Sequence, residues 1–263
     1  MEPKLADLCA MARGAGEILR AGFNHSNEVK LKGVIDLITE VDQQSEEYLL
    51  AEIRRRFPDH NIVAEESGGV EHNSEHTWYV DPIDGTTNYA HGLPIFSVSI
   101  GYVYRGEPIL GVVFNPISDE LFSAERGKGA WLNECSIHTA SRTELEKSLL
   151  VTGLPYDRFT NPDNNLDNVR RFALRSRGIR RLGSAALDLC FVAAGRVDGY
   201  WEIRLEPWDL AAGMLIALEA GAWVTKRDGS QNMLERPCSV VAANPGLHPA
   251  MLAVLAEDHP YTG

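Results

Sequence analysis

A chain of 263 residues, 44% hydrophobic and 24% charged, has the length and composition of one large α/β domain or two small ones with a sizeable core. Its formal net charge of −12 argues against nucleic acid or an anionic membrane bound through bulk attraction, but is compatible with a small phosphorylated ligand whose charge cations offset. No apolar run nears membrane-spanning length, and Glu2, Lys4 and Asp7 break any signal pattern; Cys9, Cys135, Cys190 and Cys238 lack CxxC spacing, so the expectation is a cytoplasmic protein with four reduced core thiols.

Leu5, Leu8, Ala12, Ala15, Ile18 and Leu19 fall at helical spacing and predict an amphipathic helix over Lys4 to Phe23. Val29 to Ile38 reads as a hairpin with its tip near Gly33; Lys32 on it is within reach of a phosphate but equally suits plain solvation. Thr39-Glu40-Val41-Asp42 resembles a capping box opening a helix that stops before Pro58, and Asp42 suits the dipole in its first turn. Asn61 to Ala64 predicts a strand ending in Glu65-Glu66-Ser67.

Trp78-Tyr79-Val80 predicts a second buried strand, ending at Asp81 because Pro82 removes a ladder donor. Asp84 follows three positions later, then Gly85, which tolerates positive φ, and the hydroxyl residues Thr86 and Thr87. Two carboxylates and a helix start aimed at one small volume suit a hard cation facing a phosphate. Taken alone, Asp-Pro and Asp-Gly would be a solvated turn; further acidic residues at strand ends and helix starts favour the cation reading.

From Ile95 to Trp131 the alternation predicts a β-meander. A second unit starts near Ser148 with a buried strand, a polar helix around Asn165 to Arg175 and a strand at Ile179 to Leu182. Gly183-Ser184 opens an apolar helix, Gly199 to Glu202 is a strand, and Pro207-Trp208-Asp209 starts a helix to Ala220. Strands at Ala222 to Thr225 and Cys238 to Ala243 and a helix from Pro249 close the chain. The alternation predicts a layered α/β fold, one domain over 1–263 with sub-units of about 1–145 and 146–263 sharing a core. The histidines, His91 included, show no ligand spacing.

Glu65-Glu66-Ser67, Asp81-Pro82-Ile83-Asp84-Gly85-Thr86-Thr87-Asn88 and Trp208-Asp209-Leu210-Ala211-Ala212-Gly213 occur in this order. Together they resemble the inositol monophosphatase family of metal-dependent, lithium-sensitive phosphatases. Gly183-Ser184-Ala185-Ala186-Leu187-Asp188 followed by Gly199-Tyr200-Trp201-Glu202 is similar to the bacterial inositol-1-monophosphatases. Ala64 departs from the pattern, since a glycine more often precedes the glutamates.

The resemblance implies an αβαβα sandwich, usually a homodimer, that hydrolyses inositol 1-phosphate with two or three Mg2+ ions. It implies that Glu65, Asp81 and the Ile83 carbonyl hold one ion, and Asp81, Asp84 and Asp209 a second, with Glu65 also facing a weaker third. Thr86, paired with Asp42, is implied to polarise the attacking water, making Glu65, Thr86 and Asp42 the catalytic set. Backbone N–H groups of Gly85 and Thr86 would take phosphate oxygens. Asp84, Gly183, Ser184, Ala185 and Glu202 would line the ring, and Glu65, Ile83 and Asp209 complete the substrate contacts. Fructose-1,6-bisphosphatases, histidinol-phosphate phosphatases and nucleotide 3′-phosphatases share the scaffold, and a catalytically idle protein-binding module on the same fold is the non-enzyme alternative.

Overall fold

The computed structural model describes residues 2–23, 29–31 and 37–257, with the side chains of 29–31 and 37–39 excepted. Lys32 and the expected hairpin tip at Gly33 lie outside the described residues. The helical spacing read near the N-terminus becomes α1 (Leu5–Gly22), whose stripe of Leu8, Met11, Ala12, Ala15 and Leu19 is buried. A short antiparallel pair, β1 (Val29–Leu31) and β2 (Leu37–Thr39), leads into α2 (Glu40–Arg56), which packs beside α1.

Both helices cover one face of a seven-stranded sheet. Its strands lie side by side in chain order: β3 (Asn61–Ala64), β4 (His76–Asp84), β5 (Ser97–Tyr104), β6 (Glu107–Asn115), β7 (Glu120–Glu125), β8 (Gly129–Leu132) and β9 (Cys135–Ser136). Only β3 and β4 run parallel; the rest is the expected meander, extended by the edge strand β9. The one-turn helix α3 (Thr86–Ala90) follows β4.

The second sheet has the order β11 (Gly178–Arg180), β10 (Leu149–Thr152), β12 (Gly199–Leu205), β14 (Cys238–Ala243), β13 (Trp223–Thr225). The first three strands are mutually parallel, and β14 runs antiparallel to both of its neighbours. Helices α4 (Leu166–Ala173) and α7 (His248–Leu255) cover its outer face, where Phe172, Trp201 and Met251 form a small core. Helices α5 (Ala185–Ala193) and α6 (Pro207–Glu219) lie between the sheets, in the largest core. The layers are therefore α1/α2, sheet, α5/α6, sheet, α4/α7: the expected αβαβα sandwich. The expected division near 145/146 falls between β9 and β10, and α5 and α6 fill the space between the two sheets.

The middle layer can sit close because two paired glycines make room for it. Gly101 and Gly111 face each other across β5 and β6. A Cβ on Gly101 would meet the Ala211 Cβ at 2.7 Å, and one on Gly111 the Ala212 carbonyl oxygen at 2.8 Å. The missing side chains let α6 approach the first sheet backbone-on, and α6 carries Asp209 in its first turn.

Two expectations need correction. The strand through Trp78 does not stop before Pro82 but continues to Asp84. Asp81 pairs with Ser99 and Asp84 with Ser97, three steps against two, so Pro82 sits in a bulge where no ladder donor is required. Nor are all four thiols core groups: Cys190 and Cys238 are buried, Cys9 is half-buried, and Cys135 is exposed because β9 is a two-residue edge strand. All four are free. Among the described residues no helix is long and apolar enough to cross a membrane.

Candidate active site

Carboxylates three apart on a regular strand would point to opposite faces. The bulge in β4 adds one residue and brings Asp81 and Asp84 to the same face, that of their partners Ser99 and Ser97. Ile83 turns the other way into the core beneath α1 and α2. Gly85 then takes φ +99° as the residue capping α3, with Ile95 O and Gly183 O about where a side chain would go, at 3.0 and 3.1 Å from a Cβ. The Thr86 hydroxyl donates to Ile83 O at 3.0 Å.

Asp84 is anchored from the second half of the chain. Ser184 Oγ donates to Asp84 Oδ2 at 2.5 Å, and the Ala185 and Ala186 N–H groups, at the start of α5, donate at 3.1 and 2.8 Å. A carboxylate at a helix N-terminus is the arrangement that free amides and the dipole favour. Burial still raises the Asp84 pKa, against the pull of these donors.

Asp209 caps its own helix, accepting from Glu206 N at 2.8 Å. Burial holds its carboxyl well above the usual range, reinforced by the charge of Asp84. Asp81 is in the least comfortable place. It is 2% exposed, and its Oδ1 has no hydrogen-bond partner among the described residues. Burial drives its pKa well up, and Glu65, Asp84, Asp209 and Asp42 add to the effect through their charges. Asp42 itself is fully buried in the first turn of α2.

The cavity above these groups encloses about 350 Å³. Glu65, Asp81, Ile83, Asp84, Gly85 and Thr86 line it from the first half of the chain, and Gly183, Ser184, Ala185, Glu202 and Asp209 from the second. Of the described residues expected from the sequence, only Asp42 lies off the cavity wall. Glu202, partly open to the cavity, has its pKa pushed up to about 7 by burial, with the Tyr200 hydrogen bond and the Arg181 charge opposing.

Sequence reasoning missed several contributors. Glu46, one turn beyond Asp42 on the buried side of α2, accepts from Glu66 N and Ser67 N, both at 2.9 Å, and so holds the loop that presents Glu65. Its spacing of four from Asp42 was the available signal. Arg181 lies on the wall two residues before Gly183, next to a motif already singled out. Gly153 and Tyr156 come from the loop after β10, at the carboxyl end of a parallel strand, where clefts in α/β sheets form.

These groups suit a hard cation. Glu65, Asp81, Asp84 and Asp209 share one small cavity wall, and a buried Asp81 oxygen without a donor is costly unless a positive charge sits beside it. All donors are oxygens, the preference of Mg2+. As they stand, no three His, Cys, Asp or Glu side chains among the described residues close into a ready-made ligand cluster.

Comparison with known proteins gives the family. The model of the inositol monophosphatase family matches residues 1–260. The chain is 42% identical over 244 residues to an inositol-1-monophosphatase of Mesorhizobium japonicum, covering 92% of this chain and 91% of the relative. It is 39% identical over 267 residues to the Nus factor SuhB of Pseudomonas aeruginosa, covering 99% and 98%. The solved inositol monophosphatase of Anabaena superposes with a TM-score of 0.88 at 41% identity over 98% of this chain and 97% of that one. Two more distant structures carry ligands. SaIMPase-II with inositol monophosphate bound has a TM-score of 0.79 at 28% identity, covering 94% of this chain and 91% of that one. An IMPase/NADP phosphatase complexed with Mg2+ and phosphate has a TM-score of 0.84 at 25% identity, covering 97% and 95%. The chain therefore belongs to the inositol monophosphatase family, whose members are metal-dependent, and it is a phosphoric monoester hydrolase.

Proposed function

We propose that the protein is a Mg2+-dependent phosphatase hydrolysing inositol 1-phosphate to inositol and phosphate. The observation that carries this reading is the single cavity lined by Glu65, Asp81, Asp84 and Asp209, in which a buried Asp81 oxygen has no donor among the described residues. Glu65, Asp81 and Ile83 O would hold one ion and Asp81, Asp84 and Asp209 another, with Glu65 also bordering a third. When bound, the ions supply charge stabilisation at the phosphoryl oxygens and acidify water.

The chain's own groups position the reactants. Ser184 and the start of α5 keep the Asp84 carboxylate oriented toward the cavity, and the Glu206 N–H does the same for Asp209. Gly85 and Thr86 offer backbone N–H groups to the phosphate; Thr86, its hydroxyl proton held by Ile83 O, accepts from the attacking water that Glu65 helps to place, and Asp42, buried off the cavity wall, acts only through Thr86. On the leaving-group side, Ser184, Ala185 and Glu202 meet the ring hydroxyls beside Gly183. Water is the nucleophile, so rate comes from positioning and electrostatics and no phosphoenzyme forms. A cytoplasmic homodimer is the assembly we infer.

A second reading, a protein-binding role on this fold, is favoured by the similarity to proteins named Nus factor SuhB, along nearly the whole chain. Phosphate release from inositol, sugar and nucleotide phosphates, with and without Mg2+, separates the two. Metal-dependent turnover, fastest on inositol 1-phosphate and inhibited by millimolar-range lithium, is the expected result. Absence of Mg2+-dependent turnover on every substrate overturns the phosphatase reading and leaves the binding role.

A further inference from the structure

The Glu202 carboxyl is held from two sides by residues with no assigned role. Tyr200 and Glu202 are two apart on β12 and so share the face toward α5, whereas Trp201 turns to the outer core. The fully buried Tyr200 donates its O–H to Glu202 Oε2 at 2.6 Å. Oε1 receives no hydrogen bond from a described residue. From the neighbouring parallel strand, Thr152 pairs with Trp201, which carries the chain past Glu202 at Gly153. A Cβ at Gly153 would lie 1.8 Å from Oε1, 2.1 Å from Cδ and 2.2 Å from Oε2. The Glu202 carboxyl thus occupies the space that a side chain at 153 would take.

We propose that Gly153 and Tyr200 are positioning residues: they seat the Glu202 carboxyl so that Oε1 is offered to a hydroxyl of the leaving group, making this corner the polyol-selecting part of the site. The proposal rests on the polyol phosphate reading above. Tyr200 fixes the carboxyl plane by occupying one oxygen, and the absent side chain at 153 leaves the other room to face the cavity that Gly153 and Glu202 line. An alcohol O–H finds there a pre-oriented acceptor, and an aryl leaving group without hydroxyls gains nothing from it.

The clash at Gly153 falls on the far end of a flexible side chain and not on backbone, so Gly153→Ala displaces the carboxyl and leaves the fold in place. The test is the selectivity of Gly153→Ala and Tyr200→Phe for inositol 1-phosphate over p-nitrophenyl phosphate, with crystal structures of both variants. The ratio of kcat/KM values is expected to fall roughly ten-fold in each, the size of one hydrogen bond to a charged group, chiefly through KM. The Gly153→Ala crystal is expected to show Glu202 moved out of reach of the Tyr200 hydroxyl. An unchanged ratio in folded variants, or a Glu202 carboxyl still in place in the Gly153→Ala crystal, overturns the proposal. Wild-type enzyme that does not prefer the polyol ester overturns the functional reading instead; the crystal then still decides whether Gly153 seats Glu202.

Discussion

The two ends of β4 bury ionisable groups in opposite ways. Near its start, Trp78 Nε1 donates to His60 Nδ1 at 3.1 Å, His60 stacks on His76 with centroids 4.3 Å apart, and His76 Nδ1 shares a 2.6 Å hydrogen bond with the Tyr102 hydroxyl. Burial, with the His76 charge adding to it, holds the His60 pKa down to about 4, so His60 stays neutral near pH 7 and its ring is satisfied by its neighbours. At the other end, Asp81 lies among carboxylates with an oxygen that no described residue satisfies. The first arrangement is complete as folded; the second is completed by something from outside. A strand can thus spend stability at one end on function while its other end packs as ordinary core.

Even within the acidic end, Asp81 and Asp84 differ, and substitution should separate them. Asp81→Asn and Asp84→Asn should each cost at least ~100-fold in kcat/KM, since each removes charge from the phosphate-facing wall. Their effects on the metal-free protein should have opposite signs. Asp81→Asn relieves repulsion and should raise Tm, whereas Asp84→Asn weakens the bonds from Ser184, Ala185 and Ala186 and should lower it. Equal shifts of one sign in thermal unfolding with chelator present would erase the distinction.

Adding Mg2+ at about 100 times its Kd should stabilise the wild type by about 2.7 kcal/mol, and the Asp81→Asn protein by much less. Thermal melts with EDTA and with Mg2+ read this directly. A Gly101→Ala change should cost about 1–3 kcal/mol, because the new methyl meets the Ala211 Cβ at 2.7 Å and the α6 backbone at 3.1 Å. The same displacement should carry Asp209 away from the cavity and weaken Mg2+ binding, measurable by calorimetry.

The smallest effect is in the pH dependence, where the two ends should pull in opposite directions. His60 has a depressed folded-state pKa, so below about 6.5 the unfolded chain takes up a proton that the folded protein refuses until about 4; stability falls as pH drops through that window. After solvent screening this is on the order of 1 kcal/mol, and His60→Gln should flatten it. Asp81 has a raised folded-state pKa, so its contribution in the metal-free protein is lost as pH rises above the ordinary carboxylate range. Denaturant midpoints against pH, with and without Mg2+, resolve both: Mg2+ should remove the alkaline loss and leave the acid one.

Much of this molecule was legible in its residues taken in order. The apolar periodicity placed α1 and α2, β3 and β14, and turn chemistry placed the meander, because these depend on local spacing and on which residues tolerate a turn. The acidic motifs identified the cavity wall, since each sits at a strand end or helix start where chain direction alone determines what is exposed. What only the tertiary structure decided were relations between distant segments. Pairing against Ser97 and Ser99 turned β4 through a bulge at Pro82, so that Asp81 and Asp84 face one way. The start of α5 came to hold Asp84, a hundred residues away. Glu46 came to hold the Glu65 loop, and Gly153 came beside Glu202. Spacing records what a few neighbouring residues can do; such long-range contacts depend on which strands lie side by side, and that is settled by burying two sheets against one shared layer of helices.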